Sequence, residues 1–244
     1  MKNILPAGSF FGVSGHRFYY PCAGQDLIEP LRLFTDHCAE LVFEDIGYDF
    51  SNPPRLVLES ERYEHIEQQL IGEKKSDISM RLDSSGRSYR HVDPAKLIDI
   101  FVDRKLNRTL RIIRQRGFGQ YELDRVPDGD LGIFFHRGDS AGGESGSGAW
   151  FLANRRARHL KLANLFDKIK RCLSSTALIV SDGSNTEIPF LRKTYVSFNR
   201  LVIRNLHNAN NTFEYSGLRW ERIAQIGDSR HGPTFVWKVN RISH

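Results

Sequence analysis

The sequence predicts an α/β fold, a mostly parallel sheet that ends in an antiparallel β-hairpin. Three observations predict it. Short β-branched and aromatic runs alternate with longer helical ones, the pattern of βα units. The early runs stop at turn residues: Pro21, Gly47 and the Ser181-Asp182-Gly183 stretch. The last two runs, residues 218–226 and 234–239, are joined by the polar stretch 227–233, short enough for a hairpin.

Each element follows in order. Residues 16–20 read as strand one, stopped by Pro21. The short loop Cys22-Ala23-Gly24-Gln25 follows, and Asp26 is a good helix N-cap. Leu27, Leu31 and Phe34 recur at helical spacing, and Pro30 falls in the first turn, where its missing N–H does little harm. Residues 40–46 form strand two. Residues 54–70 are ambiguous between strand and helix, with Tyr63, Ile66 and Leu70 favouring a helix at the end. The polar stretch 71–107 reads as an insertion carrying one short helix around 95–101. Residues 109–113 and 131–135 are strands three and four. A Gly/Ser-rich loop at 138–148 leads to a long helix over 150–173, whose Leu152, Leu160, Ala163, Phe166 and Ile169 make one apolar stripe. Strand five is 177–180, and a helix around 190–206 follows.

Composition sets the bounds. The chain has 244 residues, 40% of them hydrophobic and 26% charged, near the soluble average, which excludes wholesale disorder. It fits one domain, residues 1–244, with the insertion at 71–107. No apolar run reaches the ~18 residues of a membrane helix. The N-terminus is a poor signal peptide, and Cys22, Cys38 and Cys172 lie far apart, which suits a reducing compartment, so we expect a cytoplasmic protein.

The net charge is +6. The excess is concentrated in residues 104–116, with six bases and no acid, and in the predicted helix, where seven bases (Arg155, Arg156, Arg158, Lys161, Lys168, Lys170 and Arg171) face only Asp167. Such runs attract polyanions, but most are solvated helix faces. They admit nucleic acid as a partner without requiring it, since no zinc finger or RNP aromatic pair accompanies them. The histidines show no H-x-x-x-H or H-E-x-x-H spacing, so no dedicated metal site is expected.

Ligands of open α/β sheets bind beyond the carboxyl ends of the strands, which singles out three loops. In Pro21-Cys22-Ala23-Gly24-Gln25-Asp26, Gly24 permits close backbone approach and the helix start offers unpaired N–H groups. Glu44-Asp45 ends strand two about 20 residues further on, where a carboxylate can accept both hydroxyls of a ribose. Arg137-Gly138-Asp139-Ser140 would line the substrate side. Each has a plainer account: a tight turn, an exposed strand-end acid, and an Arg137–Asp139 pair.

The order of elements resembles the class I S-adenosylmethionine-dependent methyltransferases. FYYPCAGQD resembles their first motif and LVFEDI their second strand with its terminal acid. LGIFFHRGDS and TALIVSDGSN stand in place of strands four and five, and RWERIAQIGD…GPTFVWKV resembles the closing hairpin. The first loop departs from the family's usual G-x-G. The resemblance implies a three-layer Rossmann-like fold and transfer of a sulfonium methyl group, a reaction governed by positioning and electrostatics. Pro21, Cys22, Ala23, Gly24 and Gln25 would hold the methionine part of S-adenosylmethionine. Asp26 would receive its ammonium and Asp45 its ribose. Arg137 and Asp139 would orient the acceptor, with His136 a poorer base and Asp182 near the same edge. A scaffold that kept this fold and lost the cofactor is one alternative.

A serine hydrolase is the other. Gly138-Asp139-Ser140-Ala141-Gly142 fits the G-x-S-x-G elbow, followed by Asp182 and then His207 or His231 in the required order. Against it, a long Gly/Ser-rich stretch separates Ser140 from the next helix, and an elbow needs a tense turn. GDSAGG also resembles the serine motif of chymotrypsin-like proteases, but the helices expected after Ser140 leave no room for that all-β fold. The 138–148 loop, with Trp150 behind it, reads either as a lid or as a plain connector.

Overall fold

Aromatic and branched side chains pair best on a pleated surface, and the runs RFYYP, ELVFED and LGIFFH do so. The structure, a computed structural model, describes residues 5–24, 26–45, 50, 61–74, 79–82, 84, 86, 88–117, 122–137, 165–182, 194–197, 200–202, 211–229 and 232–242. The chain divides into two units, residues 19–119 and residues 1–18 with 120–244.

The 19–119 unit holds β1 (Arg17–Pro21, whose first two residues count with the other unit), α1 (Ile28–Phe34), β2 (Glu40–Asp45), β3 (Tyr63–Ile71), β4 (Ser79–Leu82), β5 (Ser88–His91), β6 (Ala95–Asp103) and β7 (Arg108–Arg116). Its strand order is β1-β2-β7-β6-β3, with β4 and β5 as a separate antiparallel pair. β2 and β7 are parallel, whereas β6 is antiparallel to both β7 and β3. Helix α1 buries Leu31, Leu33 and Phe34, and its end is tied to the strands: Tyr63 donates its hydroxyl to Thr35 at 3.1 Å.

The other unit holds β8 (Leu131–His136), α2 (Leu165–Cys172), β9 (Leu173–Ser181), β10 (Thr194–Ser197), β11 (Arg200–Val202), β12 (Thr212–Tyr215), β13 (Leu218–Ser229) and β14 (Gly232–Arg241). Its strands run in the order β12-β13-β14-β9-β8, parallel only between β8 and β9, while β10 and β11 pair separately. All six residues of β8 and residues 177–181 of β9 are buried. Phe166 of α2 stacks on Trp220, which meets Trp237 edge-on at 6.4 Å. Gly15 and Gly132 sit backbone against backbone: a Cβ on Gly132 would lie 2.0 Å from the Gly15 carbonyl oxygen.

The three-layer Rossmann-like α/β expectation is overturned. The described residues are mostly β, with two helices of seven and eight residues and mixed strand pairing. The expected helix at the end of 54–70 is strand β3. Tyr63, Ile66 and Leu70 imitate helical spacing, yet Ile66 and Leu70 are 58% and 41% exposed, which an amphipathic helix would not leave them. The expected helix at 95–101 is strand β6, where Ile98, Ile100 and Val102 alternate with Leu97, Asp99 and Phe101. The buried Asp99 hides that period-two pattern from a reading that keeps acids at the surface. The region around 190–206 carries β10 and β11 in place of a helix. Of the helix expected at 150–173, the described part is α2; the rest lies outside the described residues. The closing antiparallel pair is longer than the sequence reading made it, with Ser229 already opposite Gly232.

Candidate functional site

The turn after β1 and the end of β2 lie in one unit. Pro21 ends β1 because it has no N–H to continue pairing. Two left-handed residues, Cys22 at φ 58° and Gly24 at φ 52°, then reverse the chain. That conformation costs a side-chain-bearing residue about 1–2 kcal/mol, and Cys22 accepts it because the turn is pinned on both sides. The Ala23 amide donates to the Glu44 carbonyl at 2.8 Å, and the Asp26 amide donates to the Ala23 carbonyl at 2.9 Å. The Gly24 amide donates to Asp45 Oδ2 at 3.2 Å.

The acids around this turn have defined partners. The Tyr19 hydroxyl donates to Glu44 Oε2 at 2.5 Å in a buried contact, and the Tyr20 hydroxyl donates to Asp26 Oδ2 at 3.0 Å. The Asp45 carbonyl accepts the Gly117 amide at 3.3 Å, joining the carboxyl ends of the parallel strands β2 and β7. At the position a Gly24 Cβ would take, nothing lies within 4 Å. An acid at a strand end therefore stands beside a backbone face that a ligand can approach closely.

The structure brings Pro21, Cys22, Ala23, Gly24, Asp26 and Asp45 together; Gln25 lies outside the described residues. Asp26 is not the helix N-cap: α1 begins at Ile28, Leu27 holds the cap position without a side-chain bond, and the Asp26 carboxylate takes Tyr20 instead. Arg137 belongs to the other unit, where it is 9% exposed with its guanidinium 5.2 Å above the Phe135 ring. His136 and Asp182 are buried there, and the Asp182 amide donates to the His136 carbonyl at 3.4 Å. Asp139, Ser140, His207, His231 and the 138–148 loop lie outside the described residues.

No protein-family model matches this chain, and no curated protein or solved structure matches it either. Chemistry must therefore be read from the site itself. At the Asp45 end a carboxylate meets an open glycine, which is the acceptor chemistry a ribose needs. The methionine end fits less well, because the Ala23 and Gly24 amides that would face an anionic group are donated within the chain. Among the described residues, no cluster of His, Cys, Asp and Glu could hold a metal ion.

Tyr19, Tyr20 and Gly117 escape the sequence reading, and Glu44, singled out there beside Asp45, proves to be the buried partner of Tyr19. The paired tyrosines of FYYP were the available signal, since a buried hydroxyl needs a partner and acids stood nearby at 26 and 44. The basic run 104–116 is also corrected. It lies in and beside a β-strand, and Arg114 and Arg116 are only 2% and 3% exposed. Arg104 and Arg111 pair with Glu64 and Glu40, while the Arg108 guanidinium donates to the Thr35 and His37 carbonyls.

Proposed function

We propose that the 19–119 unit binds an adenosyl nucleoside at the Pro21–Asp26 turn and Asp45, and that the protein is an S-adenosylmethionine-dependent methyltransferase. The carrying observation is the Asp45 carboxylate held 3.2 Å from the Gly24 amide, with open space over that glycine. This reading rests on a site and not on an architecture, since folds host many functions. S-adenosylmethionine would supply a methyl group already activated on sulfonium. Asp45 accepts the ribose hydroxyls, sharing its carboxylate with Gly24. Gly24 admits the ligand to van der Waals distance. Asp26, steadied by Tyr20, receives the ammonium through water. Nucleic acid is one acceptor class that the net charge of +6 admits.

A second reading, a binding protein without transfer activity, is favoured by the Ala23 and Gly24 amides already being donated inside the turn. Among the described residues no helix is long and apolar enough to cross a membrane. The free thiols of Cys22, Cys38 and Cys172 support a cytoplasmic placement.

Calorimetric titration and thermal melting with S-adenosylmethionine and its demethylated product test the proposal. A ligand at a hundred times its Kd stabilises by about 2.7 kcal/mol, which raises the melting temperature by several degrees. No heat and no shift with either ligand at millimolar concentration removes the methyltransferase reading. Binding without methyl transfer to protein, RNA, DNA or small-molecule acceptors leaves the second one.

A further inference from the structure

Arg114 stands within β7 and is 2% exposed. Its Nη2 donates to Asp99 Oδ2 at 2.7 Å. Its Nε and Nη1 are buried and have no hydrogen-bond partner among the described residues. A guanidinium carries five N–H donors in a rigid fork, and donors kept from both water and acceptors are penalised. Asp99 can do little more for it, because Oδ1 accepts Gln68 Nε2 at 2.6 Å and faces His65 Nε2 at 3.4 Å. The neighbours across the strands are Phe43 on β2 and Leu97 on β6, which offer no side-chain acceptor.

Arg116 follows two residues on, so it shares a face of β7 with Arg114. It donates Nε, Nη1 and Nη2 to the carbonyls of Asp93, Lys74 and Glu73. Carbonyls satisfy donors without neutralising charge, and among the described residues Arg116 makes no ion pair. Of the two buried guanidinium groups on this strand face, Arg114 is ion-paired with Asp99, and Arg116 stands opposite Asp45 in the β2–β7 register. The cluster is also close to solvent: Gln68 and His65, which touch Asp99, are exposed residues of β3, the last strand in that unit's order.

We propose that Arg114 binds a small oxyanion, a carboxylate or phosphate group, through Nε and Nη1, beneath Gln68 and His65. The fork of donors matches an oxyanion's paired oxygens, and a permanently cationic donor favours an anion over a neutral acceptor. Asp45 stands opposite Arg116 in the β2–β7 register, but its carboxylate accepts the Gly24 amide, whereas this site uses Nε and Nη1 of Arg114, so the two readings are tested on different donors.

The test follows the arginine Nε–H resonances of the 15N-labelled full chain during titration with acetate and with inorganic phosphate, ionic strength being held constant with chloride. The Arg114 resonance is recognised by its proximity to the Leu97 and Phe43 protons. A saturable shift with a Kd of about 1 mM or tighter is expected for at least one anion. Acetate alone would assign a carboxylate ligand and phosphate alone a phosphate. Arg114→Lys keeps the charge but loses the fork and should weaken binding at least tenfold. An Arg114 resonance that neither anion moves overturns the proposal, as does undiminished binding in Arg114→Lys. If that variant fails to fold, the titration of the unaltered protein decides.

Discussion

Gly24 donates its backbone N–H to the Asp45 carboxylate across 3.2 Å, so the acid that ends β2 also closes the turn that ends β1. One carboxylate thereby has a structural task and a proposed ligand-binding one, and substitutions can separate them.

Asp45→Asn retains an oxygen acceptor for the Gly24 amide and loses the charge. It should cost little stability, roughly 1 kcal/mol or less, while weakening nucleoside binding at least tenfold. Asp45→Ala removes the acceptor as well and should destabilise further. Urea denaturation beside calorimetry separates the two effects, and equal affinity in the unaltered protein and both variants would remove Asp45 from the site.

Asp103 supplies an acid-sensitive clamp. It is fully buried, and Arg62 grips it through Nε at 2.9 Å and Nη2 at 2.7 Å, with the Lys105 and Leu106 amides on the same carboxylate. The Arg62 hydrogen bonds hold its carboxyl below the usual carboxylate range. A lowered folded-state value contributes stability above the unfolded value, about 3.9, and loses it as pH falls through the folded one. Melting temperature should therefore drop on acidification below about pH 4. Asp103→Asn should destabilise by about 3–5 kcal/mol at pH 7 and flatten that acid limb.

Gly132 is fixed by a close approach. Gly132→Ala would drive a methyl group into the Gly15 carbonyl, 2.0 Å from the ideal Cβ position. Overpacking against backbone should cost about 1–3 kcal/mol or more, read from the midpoint of urea denaturation.

Thiol reactivity should divide the cysteines. Cys38 and Cys172 are buried, and burial pushes both thiols up, well away from the thiolate needed for alkylation. Cys22 is half-buried in the reversing turn. Iodoacetamide at pH 8, followed by peptide mass mapping, should mark Cys22 first among the three in the native protein and all three after denaturation. Early labelling of Cys38 would contradict the packing of residues 34–42.

Legibility tracked the range of the interactions involved. Strands β1, β2, β7, β8 and β9 were readable because β-branched and aromatic density is a local property, and the closing hairpin announced itself by two apolar runs around a short polar turn. The grouping of Pro21, Cys22, Ala23, Gly24 and Asp26 with Asp45 was readable because a turn and the next strand end are near in sequence. Strands β3 and β6 were not, since their spacing of apolar residues suits a helix, and the pairing of β3 with β6 and of β6 with β7 overrode it.

By itself the sequence determined where chain direction changes and which segments are apolar enough to be strands, because backbone preference and side-chain hydrophobicity act on adjacent residues. Only tertiary structure decided which charges go inside. Arg114, Asp99 and Asp103 look like surface residues in a linear string, and they become interior ones because each meets a partner of opposite charge, Arg114 and Asp99 across the β6–β7 pair and Asp103 with the half-buried Arg62. Burying a charge is tolerable only where such a partner arrives, and partner geometry is a property of the pairing register.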